Sequence, residues 1–243
     1  MIEPVDAEPS DMADQLAALR ADNARLRRLL DEAGLPDSLR HGVRNTMAML
    51  RTIMHQSAES ADEIDAYVAH LDGRFKGILR AQAITDAFGE ADLQTLVSDE
   101  LMAHLVREGE HATIAGPRVK LRPKPALVLA LALHELTSNG IEHGSLSLRQ
   151  GRVTVTWRIE PNDPEPILAL TWKETGGTAV TSPVRQGFGT TVLKEMLVYE
   201  LEAQSTLTYE PDGLSCALLV PFTARIGRLA PTDATHREAD ERD

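Results

Sequence analysis

Residues 134–144, HELTSNGIEHG, place carboxylate, amide and imidazole side chains in a segment whose pattern predicts a helix. Residues four apart on a helix lie nearly above one another, so Glu135, Asn139 and His143 share one face. A carboxylate and an amide oxygen one turn apart are the hard oxygen groups that hold Mg²⁺, directly or through its waters. The preceding residues 126–133, ALVLALAL, are typical of a buried helix. The alternative interpretation is a solvated helix end that binds nothing.

A second polar position lies at the end of a predicted strand. The segment WKETGG, residues 172–177, places Glu174 at this strand end and follows it with Gly176 and Gly177. Glycines at such a position let the backbone approach a ligand closely. The segment therefore predicts one wall of a binding pocket.

A third segment, RQGFGTTVLKE at residues 185–195, places Gly187 and Gly189 just before a predicted helix. A helix N-terminus attracts negative charge, so this arrangement is typical of a phosphate site. A single Gly-Phe-Gly is a weak signal. Its position after the helix with Glu135 and Asn139, and after the strand with Glu174, makes a nucleotide-phosphate site a much stronger prediction.

The composition excludes several classes of protein. The chain has 243 residues, a formal charge of −12 and 42% apolar residues, and a strongly acidic chain argues against nucleic-acid binding. The single cysteine, Cys216, excludes a disulfide framework and a cysteine-rich metal site, and we expect it to be buried and inert. The N-terminus lacks the features of a signal peptide, and the apolar run 126–133 is too short to span a membrane. We therefore expect a soluble cytoplasmic protein without membrane contact.

The N-terminal part predicts helices that pair with other helices. Residues 1–11 are acidic and predicted to be disordered, and residues 12–34 are predicted to form a short coiled coil. Asn23 would occupy an a-type position, where it can fix the register of two strands. The seam positions are spaced 4, 3, 4, 3 and 4 residues apart: Met12, Leu16, Leu19, Asn23, Leu26 and Leu30. The alternative is one amphipathic surface helix.

Residues 35–90 are predicted to form a helical hairpin. The first helix begins at Ser38 and ends near Gln56, and Ser60 and Glu63 match the capping box of a second helix. An apolar stripe at helical spacing follows in the second helix: Ile64, Tyr67, Val68, Leu71, Phe75, Ile78 and Leu79. A hairpin exposes its stripe unless it pairs, so we expect dimerisation into a four-helix bundle.

Residues 91–222 change to a mixed pattern of helices and strands, and residues 223–243 are predicted to be a disordered tail. The fold class is therefore α+β, with helices on one face of a mixed sheet. The predicted helices are 92–105, 125–143 and 188–201. The predicted strands are 112–116, 118–123, 152–160, 167–174, 205–210 and 215–222.

These motifs together resemble the GHKL nucleotide-binding fold, and within it the HWE group of sensor histidine kinases. That group is named for a histidine before the N-box glutamate and for a tryptophan and glutamate in the G1 region. This sequence has His134 in HELTSN, and Trp172 and Glu174 in WKETGG. The phosphoacceptor box of the group resembles HGVRN, which supplies His41 and Asn45. The resemblance covers residues 35–222 and implies a GHKL (Bergerat-type) α/β sandwich after the hairpin.

The resemblance implies a role for each matching residue. His41 would be the phosphoacceptor, with Asn45 beside it in the same box, and Glu135 would assist the metal or activate the nucleophile. Asn139, with Glu135, would ligand Mg²⁺, while Trp172 would pack. The residues implied in ATP binding are Asn139, His143, Glu174, Gly176, Gly177, Gly187, Phe188 and Gly189.

Two positions of the phosphoacceptor box differ from the pattern of the group. Gly42 stands where the family has arginine, and Arg44 stands where lysine is usual. Glycine inside a helix costs about 1 kcal/mol relative to alanine. The first change predicts weaker autophosphorylation, whereas the second keeps the charge.

The resemblance implies a dimeric histidine kinase that uses ATP and Mg²⁺ and transfers its phosphoryl group to a response-regulator receiver domain. About 35 residues precede the hairpin, too few for a sensory domain, so we expect the signal to arrive through the coiled coil or an upstream sensor protein. One alternative is a histidine phosphotransfer or scaffold protein with a weak or inactive kinase domain, which Gly42 favours. Another is a GHKL serine kinase or ATPase, which would leave HGVRN unexplained.

Overall fold

The computed structural model describes Ala21, Arg25, Met54 and residues 64–177 and 188–231, and the first three residues are helical. The chain divides into two compact units, Met1–His55 and Gln56–Asp243, and all elements named below belong to the second. The predicted leader, the coiled coil as a whole, the first hairpin helix, His41 and Asn45 lie outside the described residues.

Four helices surround the predicted site. They are α1 (Ile64–Phe88), α2 (Leu93–Ala103), α3 (Pro123–Glu142) and α4 (188–201). Helix α4 has three consecutive segments: Phe188–Thr191, a π-helical turn Val192–Met196, and Leu197–Leu201. A short 3₁₀ turn, Ser145–Ser147, follows α3. All three helices predicted after residue 91 are confirmed, within a few residues at their ends.

Within residues 64–177 and 188–231, eight strands form two sheets. The strands are β1 (Ala91–Asp92), β2 (Ala112–Ala115), β3 (Val119–Leu121), β4 (Arg152–Glu160), β5 (Ile167–Thr175), β6 (Gln204–Glu210), β7 (Gly213–Pro221) and β8 (Gly227–Leu229). The larger sheet has the order β2-β4-β5-β7-β6, in which β2 and β4 are parallel and the other pairs are antiparallel. The smaller sheet, β1-β3-β8, is antiparallel. The predicted α+β class with a mixed sheet is confirmed.

Alternating side chains build the core of the larger sheet. On β4 the buried positions alternate with more exposed ones, as expected for a strand covered on one face. In the register of the sheet, Val155 lies opposite Trp172 and Trp172 lies opposite Cys216, and all three are fully buried. Burial raises the pKa of the Cys216 thiol to about 12, which fits the prediction of an inert cysteine.

Helix α3 is the central helix because almost all of its faces are apolar. Thirteen of its twenty residues are buried, and α1, α2 and α4 all contact it. Pro123 and Pro125 lie in its first turn, where backbone N–H groups make no hydrogen bond within the helix, so proline, which lacks this group, is tolerated there. Across the described part of the chain, no helix is both long and apolar enough to cross a bilayer.

Helix α1 differs from the predicted stripe. Val68 and Leu79 are 54% and 62% exposed, whereas Ile78, Ala81 and the charged Arg74 are buried. The residues of the predicted stripe are therefore divided between two faces, one buried at Ile78 and one exposed at Val68 and Leu79, and pairing of the exposed face in a dimer stays a prediction. The helix presents one face to α3 and leaves a second apolar face open, so a single periodic stripe could not describe it. The domain boundary expected at residue 90 stays a prediction, because α1 and the elements after it lie in one compact unit.

The chain after residue 222 also differs from expectation. Residues 227–229 pair with β3 as strand β8, and Ile226 is 4% exposed. The prediction of disorder is therefore wrong for residues 223–231, while residues 232–243 lie outside the described residues. Three strand residues, Gly-Arg-Leu, carry no apolar alternation, so this strand depends on backbone pairing that a pattern search does not detect.

The packing of Ile226 can be tested by truncation. We expect Ile226→Ala to lower the free energy of unfolding by about 2–4 kcal/mol, because a buried aliphatic side chain leaves a cavity. Leu229→Ala is the matched control, since Leu229 is 50% exposed and should cost at most about 0.5 kcal/mol. Urea unfolding followed by circular dichroism measures both values. Equal losses of unfolding free energy for the two variants would show that the buried side chain of Ile226 does not anchor this segment.

Candidate functional site

The carboxylate of Glu135 is buried and paired with an arginine from α1. Arg74 donates from Nε to Glu135 Oε1 at 2.6 Å and from Nη2 to Oε2 at 3.1 Å. The two side chains are 7% and 6% exposed. Two parallel charge-assisted hydrogen bonds between desolvated groups form a strong and directional contact. In this arrangement both oxygens of Glu135 face Arg74, so its predicted role as a magnesium ligand stays a prediction.

Asn139, one turn after Glu135, lies beside the start of α4. A β-carbon added to Gly189 would lie 3.0 Å from Asn139 Nδ2 and 3.1 Å from Glu135 Oε2. Only a residue without a side chain allows the α4 backbone to approach α3 this closely. Phe188 is 2% exposed, and the guanidinium of Arg74 lies over its ring at 3.9 Å from the centroid. The structure thus brings Glu135, Asn139, Phe188 and Gly189 together, while Gly187 lies outside the described residues.

Glu174, at the end of β5, is held at the C-terminal end of α3. Its Oε2 accepts a hydrogen bond from the Ser145 backbone N–H at 2.9 Å, and its Oε1 accepts one from Trp172 Nε1 at 3.2 Å. Glu174 is 1% exposed. A carboxylate has about four acceptor positions, so these two bonds leave capacity for a ligand donor. The predicted contact with the adenine amino group stays a prediction, and the packing role predicted for Trp172 is supported by its full burial.

Two glycines on the α3 side make room for the Glu174 carboxylate. A β-carbon on Gly140 would lie 3.2 Å from Glu174 Oε1, and one on Gly144 would lie 2.3 Å from Oε2. The second distance is far inside van der Waals contact, so a side chain at Gly144 would displace the carboxylate. The end of α3 and the end of β5 are therefore joined through Glu174.

The other predicted residues lie around this centre. Gly176 has φ +74°, and a β-carbon there would lie 2.7 Å from the Gln150 carbonyl oxygen. The backbone conformation and the close packing at this position already explain why the residue is glycine. Gly177 donates its N–H to the Asp212 carbonyl at 2.9 Å. His143, which caps the C-terminus of α3, has a side chain that is 75% exposed and so is accessible to a ligand.

A second ionisable cluster lies between α1, α2 and α3. Glu100 of α2 accepts hydrogen bonds at Oε1 from His104 Nε2 at 3.1 Å and His134 Nδ1 at 2.8 Å, and its Oε2 pairs with Arg80. A glutamate and two histidines can hold a metal ion, and the three ligand atoms lie within 4.8 Å of one another. The Arg80 guanidinium already supplies the opposite charge, so we interpret this cluster as a hydrogen-bond network.

Similarity to known proteins agrees with this geometry. Residues 38–118 match the family model described as HWE histidine kinase. The blue-light-activated histidine kinase of Brucella anthropi is 27% identical over 198 residues, which cover 81% of this chain and 40% of that protein. The solved histidine kinase domain of the Erythrobacter litoralis blue-light activated histidine kinase has a TM-score of 0.51 at 18% identity, covering 83% of this chain and 94% of that one. Another structure of the Erythrobacter litoralis kinase has a TM-score of 0.57 at 14% identity, covering 77% and 61%.

The chain is therefore similar to HWE histidine kinases, by the family model over residues 38–118 and by the Brucella anthropi relative over most of its length. The likeness to the solved structures shows the fold, which is that of the Erythrobacter litoralis histidine kinase domain. The chain spans about 40% of the length of the Brucella anthropi relative. His134, the histidine of the HELTSN motif, is 4% exposed and bonded to Glu100, so it packs between helices.

Sequence reasoning did not identify Arg74, Glu100, Gly140, Gly144 or Ser145. A signal existed for the first two. Arg74 falls at the helical spacing of the apolar stripe in α1, and Glu100 does the same in α2, whose other buried residues are Leu93, Leu96, Val97 and Leu101. A charged residue at a stripe position of an amphipathic helix predicts a buried partner on a neighbouring element. No comparable signal marks Ser145, which acts through its backbone N–H.

The pKa of Glu100 gives a prediction about pH. Burial alone would raise it, but hydrogen bonds from His104 and His134 and the charges of His134 and Arg80 outweigh burial and lower the pKa from 4.5 to about 2. A lowered pKa in the folded state means that the stabilisation is present above about pH 4.5 and is lost as the pH falls toward about 2.

We therefore expect Glu100→Gln to lower the free energy of unfolding at neutral pH and to flatten its decline between about pH 4.5 and about pH 2. Urea unfolding at a series of pH values measures this slope. Glu110→Gln is the control, since the Glu110 side chain is 62% exposed and should leave the slope unchanged. An unchanged slope in Glu100→Gln would show that other carboxylates dominate acid unfolding.

Proposed function

We propose that this chain is a protein histidine kinase that transfers the γ-phosphoryl group of Mg-ATP to His41 and then to an aspartate of a response-regulator receiver domain. One observation carries the proposal. Three segments far apart in the sequence, those of Asn139, Glu174 and Gly189, meet around the C-terminal half of α3. This is the combination that a site for a nucleotide and its phosphates requires.

Asn139 fits the role of a magnesium ligand. It is half-buried on the α3 face that meets Gly189, and an amide oxygen is a hard ligand of the type that Mg²⁺ accepts. Magnesium usually takes the rest of its coordination from waters and substrate phosphates, so one or two protein ligands suffice. Bound Mg-ATP supplies the transferable phosphoryl group and the charge that offsets its oxygens.

The chemistry asks mainly for positioning. A neutral ring nitrogen of His41 forms a bond to the γ-phosphorus while the bond from that phosphorus to the bridging oxygen breaks, and ADP leaves. Histidine offers such a nitrogen near neutral pH. Phosphoryl transfer depends on alignment and charge neutralisation more than on covalent help from the protein. In this proposal Asn139 and the start of α4 align the phosphates, and Glu174 defines the base pocket.

Helix α1 supports a dimer as the acting form. Val68 and Leu79, three helical turns apart, leave apolar surface on the side away from α3. A helical hairpin covers such a face most economically by pairing with another hairpin. We therefore propose a homodimer with a receiver domain as its phosphoryl acceptor.

A histidine phosphotransfer protein without kinase activity is the second candidate. Gly42 favours it, because it removes the family arginine beside His41 and weakens the helix there. The intact set of Asn139, Glu174 and Gly189 favours the kinase, since a phosphotransfer protein has no need of a nucleotide pocket.

Labelling with γ-labelled ATP and Mg²⁺ separates these candidates. We expect an acid-labile label on the wild type, because a phosphohistidine hydrolyses in acid, and its loss in His41→Ala and Asn139→Ala. His55→Ala and Asn162→Ala are matched controls that should keep the label, since Asn162 lies in the exposed turn between β4 and β5.

The same assay identifies the alternatives. No label from ATP, together with labelling from a phosphorylated receiver domain, would favour the phosphotransfer protein. An acid-stable label would contradict both and indicate a hydroxyl acceptor. Retention of an acid-labile label in His41→Ala would place the acceptor elsewhere.

A further inference from the structure

The contact between Arg74 and Glu135 joins two parts of the proposed mechanism. Arg74 lies on α1, the helix expected to complete the hairpin that carries His41, and Glu135 lies on α3, the helix of the nucleotide site. The Arg74 guanidinium occupies one acceptor position on each oxygen of Glu135 and places a positive charge beside both. A magnesium ion near Glu135 would meet that positive charge, so the pairing opposes a contact between Glu135 and a metal-bound nucleotide.

Arg74 also reaches the start of α4. Its guanidinium lies 3.9 Å from the centroid of the Phe188 ring, and the next residue, Gly189, approaches Asn139. A cation over an aromatic face is held by the ring quadrupole, more strongly when water is excluded. One side chain of α1 thus contacts both the N-box carboxylate and the first residue of the predicted phosphate-binding helix.

The surface between α1 and the rest of the domain combines buried apolar residues, such as Ile78 and Ala81, with several polar contacts. His70 Nδ1 lies 3.7 Å from Glu142 Oε1, Arg74 binds Glu135, and Arg80 binds Glu100. Each cationic or basic group is on α1 and each carboxylate is on α2 or α3. A cleft of about 250 Å³ also opens along this surface, lined in part by His70, His134 and Glu142. Such a surface is more easily opened than a continuous apolar core.

We propose that Arg74 is a positioning residue for Glu135, one that pairs with this carboxylate and offsets its charge at the nucleotide site while α1 lies against α3. Separation of α1 from α3 then frees Glu135 and Phe188 at once. The inference rests on the proposed function, because it takes Glu135 as a group of the phosphoryl-transfer site. It makes the phosphate end of that site dependent on the position of α1.

The first test compares two variants of α1 in the full chain. We expect Arg74→Met to raise the rate of acid-labile labelling at saturating Mg-ATP by about tenfold, which corresponds to about 1.4 kcal/mol. Lys76→Met removes a positive charge from the same helix, but Lys76 is exposed and pairs with Asp72 of α1 itself, so its rate should change by less than about twofold. A rate for Arg74→Met at or below that of the wild type would overturn the proposal and indicate that Arg74 supports the active arrangement.

A pair of glycine variants tests the same idea without removing a charge. A β-carbon on Gly73 would lie 3.0 Å from Cε1 and Nε2 of His134, whereas one on Gly77 would meet its nearest atom, Glu100 Oε2, at 3.5 Å. Both alanine substitutions favour the helix equally, by about 0.8–1 kcal/mol. We expect Gly73→Ala, which pushes α1 from α3, to raise the labelling rate, and Gly77→Ala to leave it unchanged. Equal rates in the two variants would contradict the proposal. This pair decides the question if Arg74→Met, which leaves a buried carboxylate unpaired, does not fold.

Nucleotide binding separates failure of this inference from failure of the proposed function. The affinity for a fluorescent ATP analogue is measured with Mg²⁺ and with a chelator, in the wild type, Arg74→Met and Arg74→Met/Glu135→Gln. A freed Glu135 should increase the gain in affinity from Mg²⁺ in the first variant, and the double variant should lose that increase. This result without any labelling would uphold the role of Arg74 and reject the kinase. Labelling of the wild type without the Mg²⁺-dependent increase would uphold the kinase and reject the role of Arg74.

Discussion

Every buried carboxylate around α3 needs a donor from another element, and this requirement determines how the helices and strands meet. An ionised group taken out of water is stable in a protein only when it is paired and hydrogen-bonded. Glu135 takes its donors from α1, Glu100 takes them from α1, α2 and α3, and Glu174 takes them from β5 and the turn after α3. The apolar part of α3 drives burial, but apolar contact is non-directional. The paired carboxylates specify which neighbour lies at which turn.

The sequence patterns predicted most of the elements and the polar face of α3, because both follow from periodicity within a segment. They did not predict the partners of the buried charges, since Arg74 and Glu135 are 61 residues apart and Ser145 and Glu174 are 29 residues apart. Such pairings depend on tertiary packing, which no local period encodes. Strand β8 was missed for the same reason, as its three residues are ordered by pairing with β3.

Helix α1 shows why one apolar stripe was a poor guide. A helix with a single buried face has its apolar residues on that face. In α1, Ile78 and Ala81 are buried with Arg74, while Val68 and Leu79 are exposed. A helix that contacts two partners needs two faces, and the face toward α3 includes a charge because α3 presents Glu135 there. The mixed pattern of α1 therefore reflects one face that packs on the domain and a second apolar face that is exposed in this chain.

The two ends of the site are held by supports of different kinds. At the Glu174 end, one donor is the backbone N–H of Ser145 in the turn after α3, and the other is the indole N–H of Trp172 on the same strand as Glu174. Gly140 and Gly144 pack against the carboxylate. These groups can move only if the sheet and α3 separate, which would expose much of the core. At the Glu135 end, the donor is one side chain on α1, a helix that also contributes the ion pairs of His70 and Arg80 and the buried Ile78 and Ala81. Separating one helix exposes less apolar surface than separating the sheet from α3, so its cost is smaller. Movement of α1 would therefore change the proposed phosphate end of the site while the proposed base pocket at Glu174 keeps its shape.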